Sequence, residues 1–152
     1  MFQITKDSKL PYKYYPKDKF ELRKILEERL AKDKNADLND IDVSQITDMS
    51  NTFTALDPYN INMEFWDVSK VNDMYDMFYG CEHFDADLGN WDVSNVKDMK
   101  QMFVGCKYFR GDGLEYWNPK KCMDMEYMFS WSAITKRPTW YVNWYNGINI
   151  RI

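Results

Sequence analysis

Acidic side chains recur at fixed intervals through the middle of this 152-residue chain, and they are the first candidates for chemistry. Stacked carboxylates offer hard oxygen ligands of the kind that suit calcium. The glycines that calcium-binding repeats need beside their acids are absent, and short acidic side chains commonly accept hydrogen bonds from nearby backbone amides. The sequence therefore favours helix capping and loop hydrogen bonding over a metal site. The two columns are Asp42, Asp67 and Asp92 with Asn118, and Asp48, Asp73, Asp98 and Asp124.

A hydrolytic nucleophile would need a base beside it, and the chain offers little. Three serines recur at Ser44, Ser69 and Ser94, but His83 is the only histidine, and it fills a repeat slot that holds Tyr108 in the next copy. A Ser-His-Asp or Cys-His arrangement would have to use that one imidazole. No glycine-rich phosphate loop is present, because the glycines at 111 and 113 lack a following Lys-Ser/Thr. We predict that the protein is not an enzyme and has no cofactor.

The three cysteines occupy repeat slots rather than irregular positions. Cys81 and Cys106 share one slot, and Cys122 falls where Val71 and Val96 stand in earlier copies. Free cysteine behaves as a small apolar residue, so buried structural thiols are expected. A disulfide between Cys81 and Cys106 or a metal site is the alternative, although an odd cysteine count disfavours a closed disulfide framework.

These residues belong to four copies of one sequence, which begin at positions 41, 66, 91 and 117. A fixed period of this size is typical of stacked repeats, in which each unit buries its apolar face against its neighbours. The third copy shows the unit best: residues 91–94 alternate apolar and polar like a short strand. A helical stripe with i, i+3, i+4, i+7 spacing follows, and Asp98 is placed to cap it. The stripe is Met99, Met102, Phe103 and Cys106.

The sequence therefore predicts an α/β fold, a short leucine-rich-repeat-like solenoid of strand-turn-helix coils with parallel strands. An amphipathic stripe from Asp18 to Lys32 predicts an N-terminal capping helix, and Asp18 with Glu21 resembles a capping box. Asn146-Gly147 between two strand-like runs predicts a C-terminal β-hairpin cap. We expect one domain over residues 1–152, divided into an arm (1–17), a capping helix (18–35), four repeats (36–134) and a hairpin cap (135–152).

The segment Trp91-Asp-Val-Ser-Asn-Val-Lys-Asp-Met-Lys-Gln-Met-Phe-Val-Gly-Cys106 resembles a bacterial surface-protein repeat of about 25 residues. This family is also described as a domain of unknown function in mycoplasma lipoproteins, and it resembles a variant of the leucine-rich repeat. The resemblance covers residues 36–133. It implies a repeat fold without catalytic residues, on proteins that bind host proteins or other cells. This chain departs from it at residues 118–121, where Asn-Pro-Lys-Lys replaces Asp-Val-Ser-Asn.

Charge and hydropathy narrow the classes of partner. The net charge is −4 with both signs interspersed, so no basic stripe indicates nucleic acid. No apolar run approaches the roughly 20 residues of a membrane span, which predicts no membrane partner. The first residues lack the apolar core of a secretory signal, and the expected location is the cytoplasm.

Slots that vary between copies are free of scaffold duty and are the best candidates for a binding surface. Aromatic residues are enriched at binding hot spots, so a mixed aromatic and basic patch is the predicted partner site. The alternative is that its two aromatic rings only pack against return loops. The patch consists of Phe65, Lys70, Tyr116, Lys120 and Lys121.

The predicted function is non-enzymatic protein binding. An intracellular inhibitor, immunity or adaptor protein, of the kind that a phage or mobile element carries, is the first hypothesis. A surface adhesin that binds host or cell-surface proteins is the second. An export signal upstream in the gene, or labelling at the cell surface, would distinguish the second from the first.

Overall fold

The computed structural model of the chain describes residues 11–147. Within that range it contains two α-helices, α1 (Lys19–Lys32) and α2 (Thr139–Tyr145), and one 3-10 turn, Leu114–Tyr116. The described residues form no strand; successive segments meet only at isolated parallel bridges such as Asp48 to Asp73. Neither helix of the described range is long and apolar enough to cross a membrane.

Helix α1 lies where the sequence predicts a helix, and local signals explain it. The Asp18 carboxylate accepts hydrogen bonds from the backbone N–H groups of Phe20 and Glu21, which satisfies two amides of the first turn. Glu21 accepts from the N–H of Lys17 at 2.8 Å, one residue earlier than a capping box requires. One face of the helix, Leu22, Leu26 and Leu30, is fully buried against the first repeat.

Successive repeats are joined by a ladder of backbone hydrogen bonds, and within this ladder the bonds run in one direction; outside it, bonds such as that from the Asn72 N–H to the Thr47 carbonyl run the other way. The N–H groups of alternate residues in one repeat donate to carbonyl oxygens of the next repeat. Between the first and second repeats these bonds are Met49 to Asp73, Asn51 to Tyr75 and Phe53 to Met77, each 2.9 Å. Along this ladder, amides face the following repeat and the accepting carbonyl groups face the preceding one.

This ladder shows that the predicted solenoid of strand-turn-helix coils with parallel strands is wrong. The segment predicted as a strand closes on itself, because the Asp92 carboxylate accepts from the N–H of Ser94 at 3.0 Å and Val96 N–H donates to Val93. The segment predicted as a helix contains a residue with positive φ, such as Gln101 at 59°. An α-helix requires φ near −63°, and its amides must donate within the helix rather than to a neighbouring repeat.

Stacked aromatic rings form the centre of the fold. The Trp66, Trp91 and Trp117 rings lie parallel at centroid distances of 6.2 and 6.4 Å. Each buried indole Nε1–H donates to a carbonyl of the preceding repeat; for Trp91 the acceptor is Met63, at 3.0 Å. A phenylalanine column runs beside it, with centroid distances between neighbours of 4.9, 5.5 and 5.8 Å, and consists of Phe53, Phe78, Phe103 and Phe129.

The predicted C-terminal β-hairpin is also wrong for the residues described. Helix α2 replaces its first strand, and Trp140 extends the tryptophan column, with its ring 6.0 Å from that of Trp117. Asn146-Gly147 ends this helix: Gly147 has φ of 71° and donates to the Trp144 carbonyl, as a glycine after a helix commonly does. The second half of the predicted hairpin, residues 148–152, lies outside the described range.

Candidate functional site

The residues that could do chemistry are used by the fold. Cys81 and Cys106 are free and buried, and their Sγ atoms donate to the carbonyls of Phe53 and Phe78. Burial raises the pKa of the Cys81 thiol to about 12, and it raises the pKa of Cys106 as well. A thiol with so high a pKa carries almost no thiolate at neutral pH, so it is a poor nucleophile and metal ligand.

Cys122 behaves in the same way. It is free and buried, and its Sγ donates to the Asp124 carbonyl at 3.4 Å. Burial raises the pKa of its thiol to about 12. The three cysteines therefore act as small apolar residues of the core, which is the first of the interpretations open from the sequence.

His83 is held between neighbouring side chains on the surface of the stack. Its Nδ1 lies 2.8 Å from Asp57 Oδ2, and its backbone N–H donates to the other oxygen of that carboxylate. Its ring lies between those of Tyr59 and Tyr108, at centroid distances of 4.7 and 5.3 Å. No serine hydroxyl contacts the imidazole among the described hydrogen bonds, so a Ser-His pair does not form there.

The aspartate columns accept hydrogen bonds from their own backbone. Asp98 Oδ1 accepts from the N–H of Lys100 at 2.8 Å, and Asp73 and Asp124 make the same contact two residues on. This is the acceptor geometry of a helix cap with no helix after it. Across residues 11–147, no three His, Cys, Asp or Glu side chains converge in a way that could hold a metal ion.

The pKa of the carboxyl group differs between members of the second aspartate column, because their neighbouring charges and hydrogen bonds differ. Burial raises the pKa of Asp98, and the carboxylates of Asp73 and Asp124 in the neighbouring repeats act in the same direction. Burial also acts upward on the first member, Asp48, but hydrogen bonds from Ser50 and the ammonium of Lys19 outweigh it, and the pKa of Asp48 is lowered. The Lys19 Nζ lies 3.0 Å from Asp48 Oδ2.

The members of the predicted aromatic and basic patch differ in exposure and lie in different repeats. Phe65 is half-buried, and its N–H donates to Asn39 Oδ1 at 3.0 Å. Tyr116 is 76% exposed and stands two repeats further on. At the ~4.8 Å spacing of hydrogen-bonded neighbours, two repeats separate equivalent positions by about 10 Å. One repeat therefore lies between the two rings, and the patch stays a prediction.

The basic members of the patch differ in how they are held. Lys121 donates to Asn95 Oδ1 at 2.7 Å, and Asn95 in turn donates to the carbonyl of Ser69 at 2.7 Å. Lys70 and Lys120 are exposed. Tyr116 borders a cleft of about 670 Å³ that Lys136 and Arg137 also line. Of the five predicted residues, Tyr116 is the one that lies beside a concave surface.

A second surface, absent from the prediction, lies at the C-terminal end of the stack. Tyr127 and Trp131 of the fourth repeat are 61% and 82% exposed, although both rings are large and apolar. Both also have positive φ, 56° and 60°. Left-handed backbone is a genuine outlier for bulky residues.

The equivalent slots of the earlier repeats show what the fold alone selects. The Trp131 slot holds Ala55, Gly80 and Gly105, all with positive φ. Glycine adopts such a conformation without penalty, whereas a side chain adds a steric cost. The Tyr127 slot holds smaller polar side chains in those repeats, namely Asn51, Asp76 and Gln101. Folding therefore does not account for two exposed aromatic rings at these positions.

Tyr127 lines a cleft of about 620 Å³ between the fourth repeat and α2, and Trp131 follows the lining residue Ser130 in the chain. We call this cleft the terminal cleft. Val142 and Tyr145 line it from the helix and are 40% and 74% exposed. Arg137 also lines it, and its guanidinium carbon lies 5.7 Å from the Phe129 ring centroid and 5.4 Å from that of Tyr141. The cleft therefore combines apolar walls with one cation held over aromatic faces.

A sequence signal for this surface does exist. When the four copies are aligned, Trp131 falls under Gly80 and Gly105, a substitution that no stacking role demands. The substitution is informative only if the slot is known to have positive φ. Glycine in every copy would indicate this, but the first copy has Ala55 at the slot. The sequence predicts a strand at Val142 and Tyr145, and a strand there does not indicate that these residues line a cleft beside the fourth repeat.

Comparison with known proteins gives one finding. Residues 21–141 match the family model described as Mycoplasma protein of unknown function, DUF285. No curated protein and no solved structure matches the chain.

Proposed function

Since the chain belongs to the DUF285 family of Mycoplasma proteins of unknown function, we propose a function from its surface: non-enzymatic binding of a partner protein. The fourth repeat carries the contact surface. The observation behind this proposal is the pair of exposed aromatic residues, Tyr127 and Trp131, at left-handed positions. Both slots have positive φ in all four repeats, so the fourth repeat differs in placing bulky exposed rings where smaller residues or glycine stand elsewhere, and stability does not explain that choice.

The chemistry of this surface suits a protein partner. Tryptophan, tyrosine and arginine are the residues most enriched at binding hot spots. The terminal cleft brings tyrosine and arginine together, with Trp131 next in the chain to the cleft residue Ser130. Tyr116 adjoins it through the second cleft, since Arg137 lines both.

The cellular setting of this activity is a second part of the proposal. An inhibitor, immunity or adaptor protein inside the cell and an adhesin on its surface would both use such a surface. The three free, buried cysteines favour the reducing interior of a cell, because secreted small domains commonly pair their cysteines. We also propose that the chain is related to the bacterial surface-protein repeat, because it carries the Trp-Asp-Val-Ser and Met-Phe motifs.

The test compares partner capture by matched variants of the purified chain. We expect Trp131→Gly to lose capture from a lysate of the source cell without losing stability, because glycine suits the backbone at this slot. Tyr15→Ser is the control, since Tyr15 is 65% exposed and lies near the opposite end of the stack. Capture that persists in Trp131→Gly and disappears in Tyr15→Ser would move the binding surface to the other end and refute the proposal.

A further inference from the structure

The last repeat ends the backbone ladder with a row of unpaired donors. In the third repeat, the N–H groups of residues 99, 101, 103 and 105 donate to carbonyls of the fourth repeat at 2.8 to 2.9 Å. The equivalent N–H groups of the fourth repeat face away from the stack and find no acceptor among the described residues. We call this set the terminal amide row: Met125, Tyr127, Phe129 and Trp131.

The opposite end of the stack is treated differently. The first repeat presents carbonyl oxygens outward, and Arg23 of α1 covers two of them. Its guanidinium donates to the carbonyls of Thr52 and Thr54, which occupy the slots that accept amides in later repeats. The described chain thus caps part of its acceptor end with a side chain and leaves its donor end open. A row of unpaired backbone groups at an open edge is a template for pairing with another chain.

The terminal cleft lies on this open row. Tyr127 and Ser130 line the cleft, and Ser130 is the neighbour of Trp131. Inside the stack, the same row is filled by the backbone of another polypeptide segment, whose carbonyl groups point back at it. The cleft therefore offers a peptide two things that an internal repeat also receives: a line of amide donors and an apolar wall.

From this arrangement we propose that the terminal cleft takes a polypeptide segment of a partner protein, which adds its backbone carbonyl oxygens to the terminal amide row and its apolar side chains to Val142 and Tyr145. This rests on the proposed protein-binding function and gives its mode. It resembles strand addition to an open sheet edge, in which backbone bonds give affinity and side-chain pockets give specificity.

A second copy of this chain is a poor occupant. Head-to-tail stacking would require its first repeat to present free carbonyls, and Arg23 of α1 already occupies two of these, Thr52 and Thr54. Tail-to-tail stacking would bring two donor rows together. The donor row needs acceptors, which a segment of another polypeptide supplies.

The first arm of the test measures amide hydrogen exchange by NMR on the full chain. We expect the amides of Tyr127 and Trp131 to exchange quickly, while those of Gln101 and Gly105 are protected. Protection of the terminal row in the isolated monomer would show that the chain fills it itself, and this would overturn the inference. Protection that appears only as concentration rises would assign the row to a second copy, with the same consequence.

The second arm adds a probe peptide with the sequence of residues 96–105, whose carbonyls accept from the second repeat inside the stack. We expect saturable shifts at the terminal amide row and slower exchange there. Val142→Arg fills the cleft wall and should weaken peptide binding at least ~10-fold, a change of about 1.4 kcal/mol. Tyr15→Ser should leave it unchanged.

Two further outcomes separate this inference from its rivals. Equal binding of a scrambled peptide of the same composition, or saturation of the same amides by sodium sulfate alone, would make the row a general anion site and overturn the inference. Failure of the peptide while Trp131→Gly still abolishes partner capture would remove this mode of binding and leave the proposed function standing.

Discussion

Trp131 provides the sharpest test of how this backbone is built. Its φ is 60°, and the two equivalent positions in the middle repeats are glycines at 72° and 75°. Left-handed backbone costs an L-residue roughly 1–2 kcal/mol, which glycine avoids. Glycine loses more chain entropy on folding, by about 0.4–1 kcal/mol. We therefore expect Trp131→Gly to be more stable than Trp131→Ala by about 1 kcal/mol.

The difference in stability between these two variants isolates the free-energy cost of the left-handed backbone at position 131. Both remove the indole, so the contribution of its small buried area cancels. For a chain of this size, 1 kcal/mol corresponds to a difference in Tm of roughly 2–4 °C. Gly80→Ala is the reciprocal control, because an added Cβ there meets no atom within 4 Å while φ remains 72°. It should lower Tm by a similar amount.

The assay is thermal and urea unfolding of the three variants beside the wild-type chain, with coincident transitions by two probes to support two-state analysis. A Trp131→Ala variant as stable as Trp131→Gly, together with an unaffected Gly80→Ala, would refute the claim that this slot is left-handed and strained. It would also remove the main reason for assigning Trp131 to binding.

Four other results are expected. Asp98→Asn should raise Tm at neutral pH, because the raised pKa of Asp98 means that its charged carboxylate destabilises the folded state. The advantage of the variant should vanish as pH falls toward 3.8, where the wild-type carboxyl is protonated. An unchanged Tm at neutral pH would contradict this prediction. Asp48→Asn should lower Tm at neutral pH, because the pKa of Asp48 is lowered and its carboxylate stabilises the folded state. The difference in Tm should shrink below pH 3.8, as the wild-type carboxyl becomes protonated. A stabilised variant would show that the ion pair with Lys19 does not stabilise the carboxylate. The three thiols should react with a maleimide only as fast as the chain opens, and rapid labelling of the native protein would refute their burial. Lys120→Glu, on the patch predicted from sequence, should slow association with an acidic partner and reduce its salt dependence, and unchanged kinetics would exclude that patch.

The columns of the core and helix α1 could be predicted because their signals are local or periodic. Asp18 and the Leu22, Leu26, Leu30 stripe specify a helix on their own. The recurrence of tryptophan every 25 or 26 residues specifies a stack, whatever the backbone between the rings does.

The backbone of the repeat could not be predicted from the same residues. A stripe at i, i+3, i+4, i+7 is typical of a helix. Met99, Met102 and Phe103 instead lie in a series of turns, and Gln101 between them has positive φ, which a helix does not allow. Nothing about a glutamine indicates positive φ. Asn146-Gly147 likewise fits a hairpin turn and a helix end equally well, and packing of Trp140 on Trp117 decides between them.

The candidate site was missed for a related reason. Variable slots on the predicted strand face point to Phe65 and Lys70, whereas Tyr127 and Trp131 lie in the segment that the sequence predicts as a helix. The exposure of Tyr127 and Trp131 depends on the backbone conformation of the repeat, which the repeat pattern does not specify.

Site-specific photo-crosslinking in the source cell tests the central claim most directly. A photoreactive phenylalanine analogue replaces Trp131 in one strain and Tyr15 in another, since both positions are highly exposed and lie near opposite ends of the stack. The account predicts one crosslinked protein partner from position 131 and none from position 15. Crosslinks from position 15 alone, or none from position 131 in cells where the chain is abundant, would contradict it.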